Sequence, residues 1–126
     1  MRLPHLLAAA GLAVALTACS AEAEPEKPDT FAAVGFMRVI DQCDPVDYPD
    51  VTDGAPVKIT NSKGDVVAIG NLREGKSEGE WMCRYDFKVE GVPSGEGPYA
   101  VEVSHRGEIP FNEDQASGLA LSLGVN

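Results

Sequence analysis

Cations are scarce in this sequence. Ten Lys and Arg stand against twenty Asp and Glu, and the shortage is not clustered anywhere as a basic run. Phosphate backbones are bound by grouped Lys and Arg, so nucleic acid is not an expected partner. The same balance argues against electrostatic docking to anionic lipid. Histidine is rarer still, at two, and only His105 lies beyond the N-terminal segment, which leaves metal-ligand sets and acid–base pairs short of members. Metal binding by the few cysteines would need partners such as histidines, and His105 alone is at hand beyond the N-terminal segment. No apolar run approaches the ~20 residues a membrane-spanning helix needs, and no stretch has the periodicity of a long amphipathic helix. No cofactor is expected.

What is present begins with a secretory pattern. Arg2 and His5 form a thin basic start, Leu6 to Leu16 is apolar, and Leu16-Thr17-Ala18-Cys19 ends it on small residues and a cysteine. That ending resembles the lipobox of bacterial lipoproteins, which implies cleavage before Cys19, diacylation of its sulfur and attachment to a membrane by acyl chains on the extracytoplasmic face. Residues 1–18 are then a signal peptide. The mature chain would have 108 residues carrying nine basic and twenty acidic side chains. Residues 19–30, with two prolines, four acids and no large apolar side chain, read as a flexible linker. Residues 31–126 are long enough for one small domain.

With Cys19 assigned to lipid, Cys43 and Cys83 remain in a disulfide-permissive compartment and are expected to pair. Phe31 to Ile40 is apolar without clean alternation, a buried strand or a short helix. Val57 to Thr60 and Val66 to Leu72 read as a hairpin across Asn61–Asp65, with Gly64 in the left-handed position of a bulged turn. Residues 73–80 read as an exposed loop. Trp81 to Glu90 alternates over its whole length, placing Trp81, Cys83, Tyr85, Phe87 and Val89 inward. Gly91 to Pro98 is read as a break. Tyr99 to Val103 alternates again, Ile109 to Phe111 continues it, and Asn112 to Gln115 has capping-box spacing for one helical turn. Leu119, Leu121, Leu123 and Val125 share a face. Six or seven short strands with turn signals between them predict an all-β antiparallel sandwich, expected as a monomer.

Several segments carry a family resemblance: Tyr48-Pro49-Asp50-Val51 and Gly54, the run from Val57 to Val66, Cys83 to Val89, Tyr99 to Glu108, and the Leu119 to Leu123 close. Together they are similar to a group of small secreted lipoproteins of actinobacteria. The resemblance implies an immunoglobulin-like or transthyretin-like sandwich at the cell surface, and no catalytic site. The acidic stretch before Tyr48 has no place in that pattern.

Three constellations bear on chemistry. Gly75-Lys76-Ser77-Glu78-Gly79 matches G-x-S-x-G, but in a polar loop running into a strand, where a nucleophile elbow needs the reverse order. Asp41, Asp44, Asp47, Asp50 and Asp53 recur every third residue, and Asp47, Asp50 and Asp53 are the candidate calcium ligands if that loop gathers carboxylates. A solvated acidic loop is the plainer reading. His105 and Arg106 end a strand, Arg106 being expected to pair with Glu102 or Glu108, while Trp81 and Tyr99 read as core. The function expected from all this is a non-enzymatic, lipid-anchored envelope module that binds an envelope protein or polymer. A calcium-dependent module is the alternative, and a small hydrolase is a further one.

Overall fold

The computed structural model describes residues 29–45 and 47–124; the signal segment, Cys19 and Val125 lie outside them. Eight strands follow in order: β1 (Thr30–Val39), β2 (Pro56–Thr60), β3 (Val66–Asn71), β4 (Lys76–Ser77), β5 (Cys83–Pro93), β6 (Tyr99–Val103), β7 (Ile109–Phe111) and β8 (Leu119–Leu123). They form two four-stranded sheets, β4-β5-β1-β8 and β3-β2-β6-β7. The all-β sandwich is as expected, with one departure from pure antiparallel pairing. β1 runs antiparallel to β5 but parallel to β8, meeting Phe87 on one side of Gly35 and Leu119 on the other.

β1 is a strand, not a helix. Its alternation is blurred because Val34 and Phe36, on the outer face, are apolar and half-buried, while Ala33, Met37 and Val39 fill the core. The inward side chains of β5, Tyr85, Phe87 and Val89, are buried against Val57, Ile59, Val101 and Val103 of the second sheet in one continuous core. Tyr99 stacks on Phe111 with ring centroids 5.6 Å apart and meets Phe31 edge-on at 5.3 Å. The β2–β3 hairpin has its bulge between Ile59 and Thr60, and Gly64 takes φ +84°. The capping-box residues start a single 3-10 turn, Glu113–Gln115, in which the Gln115 side chain accepts from the Asn112 amide at 2.7 Å.

β5 corrects the sequence reading at both ends. Gly91 does not break the strand: at φ +77° it inserts a bulge, so that Phe31 pairs with Val92 and Ala33 with Val89. Only a glycine enters that conformation without steric cost, and Val92 resumes the inward alternation, fully buried. At the other end the strand starts at Cys83, because Ser77 already pairs with Cys83 and the chain between them is a turn. Trp81 sits on that turn and is 65% exposed, not core. The expected loop at residues 73–80 therefore contains a short edge strand, β4. Trp81→Ala is expected to change unfolding free energy by less than about 0.5 kcal/mol, where truncation of a buried tryptophan costs about 3–5 kcal/mol; urea titration separates the two.

Candidate functional site

The connection from β1 to β2 is fixed to the core at two points. Cys43 and Cys83 form the expected disulfide, with Cα atoms 5.0 Å apart. Two residues further along β5, the Tyr85 hydroxyl accepts a hydrogen bond from the Asp44 amide at 3.1 Å. Burial pushes the Tyr85 phenol above its ordinary value of 10.0. Gly75 completes the packing, since a Cβ there would lie 2.6 Å from the Tyr85 ring and 2.8 Å from the Cys83 sulfur.

The aspartates of this connection are dispersed. Asp41 accepts from the Gln42 amide at 2.7 Å, Asp53 from the Gly75 amide at 3.0 Å, and Asp44 from the Thr52 hydroxyl at 3.4 Å. Asp47 is exposed, and Asp50 is taken by Arg106. Among the described residues no three His, Cys, Asp or Glu side chains converge as a cation site. Asp47, Asp50 and Asp53 are thus not brought together: Asp50 and Asp53 are each held by a different neighbour, and Asp47 is exposed. Accordingly, the thermal midpoint is expected to be the same in millimolar calcium and in chelator; a rise of several degrees with calcium would reverse that conclusion.

Arg106 also departs from expectation. It bonds Asp50 bidentately through Nε, at 2.9 Å, and Nη2, and lies 4.9 Å above the Tyr48 ring. Glu102 instead pairs with Lys58 at 3.4 Å and accepts from the Gly107 amide. Residues 48 and 106 are brought together because the β1–β2 connection packs on the turn after β6, a long-range contact that local charge spacing does not reveal. The Arg106 hydrogen bonds hold the Asp50 carboxyl below its ordinary 3.8. A depressed carboxyl contributes stability above its unfolded value and loses it as pH falls through the folded one. Arg106→Gln should therefore cost up to about 1 kcal/mol near neutrality, and its thermal midpoint should merge with wild type on strong acidification.

Ser77 lies on β4 in the first sheet, whereas His105 follows β6 in the second, and both are exposed. The G-x-S-x-G match thus contains the edge strand β4, runs on into β5, and has no histidine brought to it among the described residues.

The outer face of the first sheet escaped the sequence reading. Here Phe36 on β1 lies under two guanidinium groups, Arg84 at 4.0 Å from its centroid and Arg38 at 5.0 Å. Glu78 bridges the two arginines at 3.1 and 3.9 Å, and Asp86 holds Arg84 at 2.8 Å. Lys76 stands opposite Arg84 in register. A groove of about 390 Å³ runs across this face, lined by Phe36, Arg73, Arg84, Asp86 and Lys88 and closed near Ser117 and Gly118. Alternation within β5 does place Arg84, Asp86 and Lys88 on one side, but Phe36, Arg38 and Arg73 join them only through strand pairing. Such a surface is equipped to bind an anion and to present an aromatic contact.

A second exposed feature is a shallow depression formed by Gln42, Cys43, Ser77, Gly79, Glu80 and Trp81. No family model, no curated protein and no solved structure matches the chain.

Proposed function

We propose that this protein is a non-enzymatic, lipid-anchored module of the cell envelope that engages an envelope protein or polymer through the Trp81 turn. The observation that carries the reading is the exposure of Trp81, at 65%, on a turn that cannot relax freely. β4 pairs with β5 on either side of the turn, and Cys83, two residues beyond Trp81, is cross-linked to Cys43. A large aromatic on a pre-ordered support loses little conformational entropy on binding, which is why tryptophan is enriched among interface hot spots. The lipobox-like Leu16 to Cys19 segment and the resemblance to surface lipoproteins support the location.

Three measurements test the reading. Mass spectrometry of the mature N-terminus is expected to find a diacylated Cys19; an unmodified residue would remove the anchor. Cross-linking on intact cells is then expected to capture the same partner repeatedly with the wild-type chain and to lose it in Trp81→Ala, whose fold is preserved. Equal capture by both proteins would move the binding surface elsewhere. Hydrolysis of a generic ester or peptide substrate, lost in Ser77→Ala, would overturn the non-enzymatic assignment.

A further inference from the structure

The acidic composition hides a segregated surface. Of the ten Lys and Arg in the chain, five (Arg38, Arg73, Lys76, Arg84 and Lys88) gather on or beside the outer face of the first sheet. The acids paired with them are only three, Glu78, Asp86 and Glu90. Arg73 and Lys76 have no carboxylate within ion-pair distance among the described residues. Every other part of the domain is dominated by carboxylates, with Lys58, Lys63 and Arg106 its remaining cations.

We propose that this face is the membrane-facing side of the tethered protein, and that its groove receives the phosphate of an anionic phospholipid headgroup. The proposal rests on the anchor at Cys19. Charge complementarity selects the face, since no other is enriched in cations. The attachment point agrees with it: β1 is a central strand of this same sheet, and Thr30 follows Cys19 by eleven residues. Such a linker spans at most about 40 Å, which confines the domain to the bilayer surface and makes a weak attraction effective.

Screening removes the objection from overall charge. The Debye length at physiological salt is about 8 Å, while packed sheets lie about 10 Å apart. Carboxylates on the outer side of the far sheet lie further off still, across solvent in which their field is largely screened from headgroups that the near face touches. Arg84 is already ordered by Phe36 and Asp86, so its guanidinium needs little reorganisation to line the phosphate site. Arg73 is positioned beside it by its own backbone amide, which donates to the Asp86 carbonyl at 2.8 Å. Lys88, four residues along β5 from Arg84, also lines the groove and supplies the third donor.

The test uses the full lipidated chain reconstituted into vesicles of phosphatidylcholine alone, or with about a third phosphatidylglycerol. Lysines are acylated with a neutral reagent and quantified by mass spectrometry, with Lys58 and Lys63 of the second sheet and its hairpin as internal references. On the anionic vesicles, labelling of Lys76 and Lys88 relative to those references is expected to fall about threefold and to recover in high salt. In Arg73→Glu/Lys88→Glu the protection of Lys76 is expected to disappear while the thermal midpoint stays unchanged. Equal labelling on both vesicles would overturn the proposal, as would protection of the same size on phosphatidylcholine alone. Protection by soluble poly-glutamate but not by anionic vesicles would assign the face to an acidic partner instead. If the chain fails to float with either vesicle and Cys19 is unmodified, the anchor itself is wrong, a result distinct from an anchored chain with no preferred face.

Discussion

Replacing Gly35 with alanine is expected to cost about 3 kcal/mol or more, at the upper end of what overpacking does. The added Cβ would overlap the carbonyl oxygen of Leu119 and sit 2.7 Å from the Leu119 Cβ. These are backbone-fixed atoms of the neighbouring strand, so no side-chain rotation relieves the clash. β8 must move away, and with it the parallel ladder from Gly35–Leu119 to Val39–Leu123. For a domain of this size the loss corresponds to a melting point lower by roughly 15 °C. Gly118→Ala is the matched control, because nothing lies within 4 Å of a Cβ at that position; it is expected to stay within about 0.5 kcal/mol of wild type. Equal midpoints for the two variants would show that the β1–β8 approach is looser than described.

Removing the disulfide is expected to have the next largest effect. Cys43 and Cys83 are separated by 40 residues, and closing a loop of that length in the unfolded chain is worth about 4 kcal/mol on the chain-entropy argument. A small domain typically has about 5–15 kcal/mol in all. Cys43→Ala/Cys83→Ala, or simple reduction of the wild type, should therefore bring the denaturant midpoint down by a large fraction. Alanine is the suitable replacement because Cys83 is completely buried, and a serine hydroxyl there would need a partner. Loss of the bridge also releases the β1–β2 connection, so the Asp44 amide, which donates to Tyr85, should exchange with solvent faster than amides of β5. A loss of unfolding free energy below about 1 kcal/mol would mean that the unfolded chain is already compact around this pair.

The strands of this fold are readable where one face alone is buried. Tyr85, Phe87 and Val89, or Tyr99, Val101 and Val103, alternate with polar residues because each strand has a wet side. The same rule misplaced Trp81, since alternation continues by chance into a turn where no pleat exists. Gly91 was misread in the opposite direction: glycine marks both strand ends and bulges, and only pairing with β1 distinguishes them. The disulfide is legible by counting once the lipobox resemblance sets Cys19 aside, because one pair is then left. The Arg106–Asp50 pair is not legible, because 56 residues separate its members and two closer carboxylates compete for the expectation. The cationic face was hidden for a related reason. Its members come from β1, β4, β5 and the crossing after β3, and in a sequence dominated by acids each looks like an isolated charge.

The parallel alignment of β1 and β8 has a mechanical consequence. Thr30 and Leu123 lie at opposite ends of neighbouring strands that run in the same direction. Tension applied between Thr30 and Leu123 therefore slides the two strands along one another. The rungs of their ladder share the force and must rupture together, whereas antiparallel neighbours loaded at one end would open bond by bond. β1 is also bonded along its other edge to β5. Tension between those two residues thus loads the β1–β8 ladder in shear while β1 stays held along both edges.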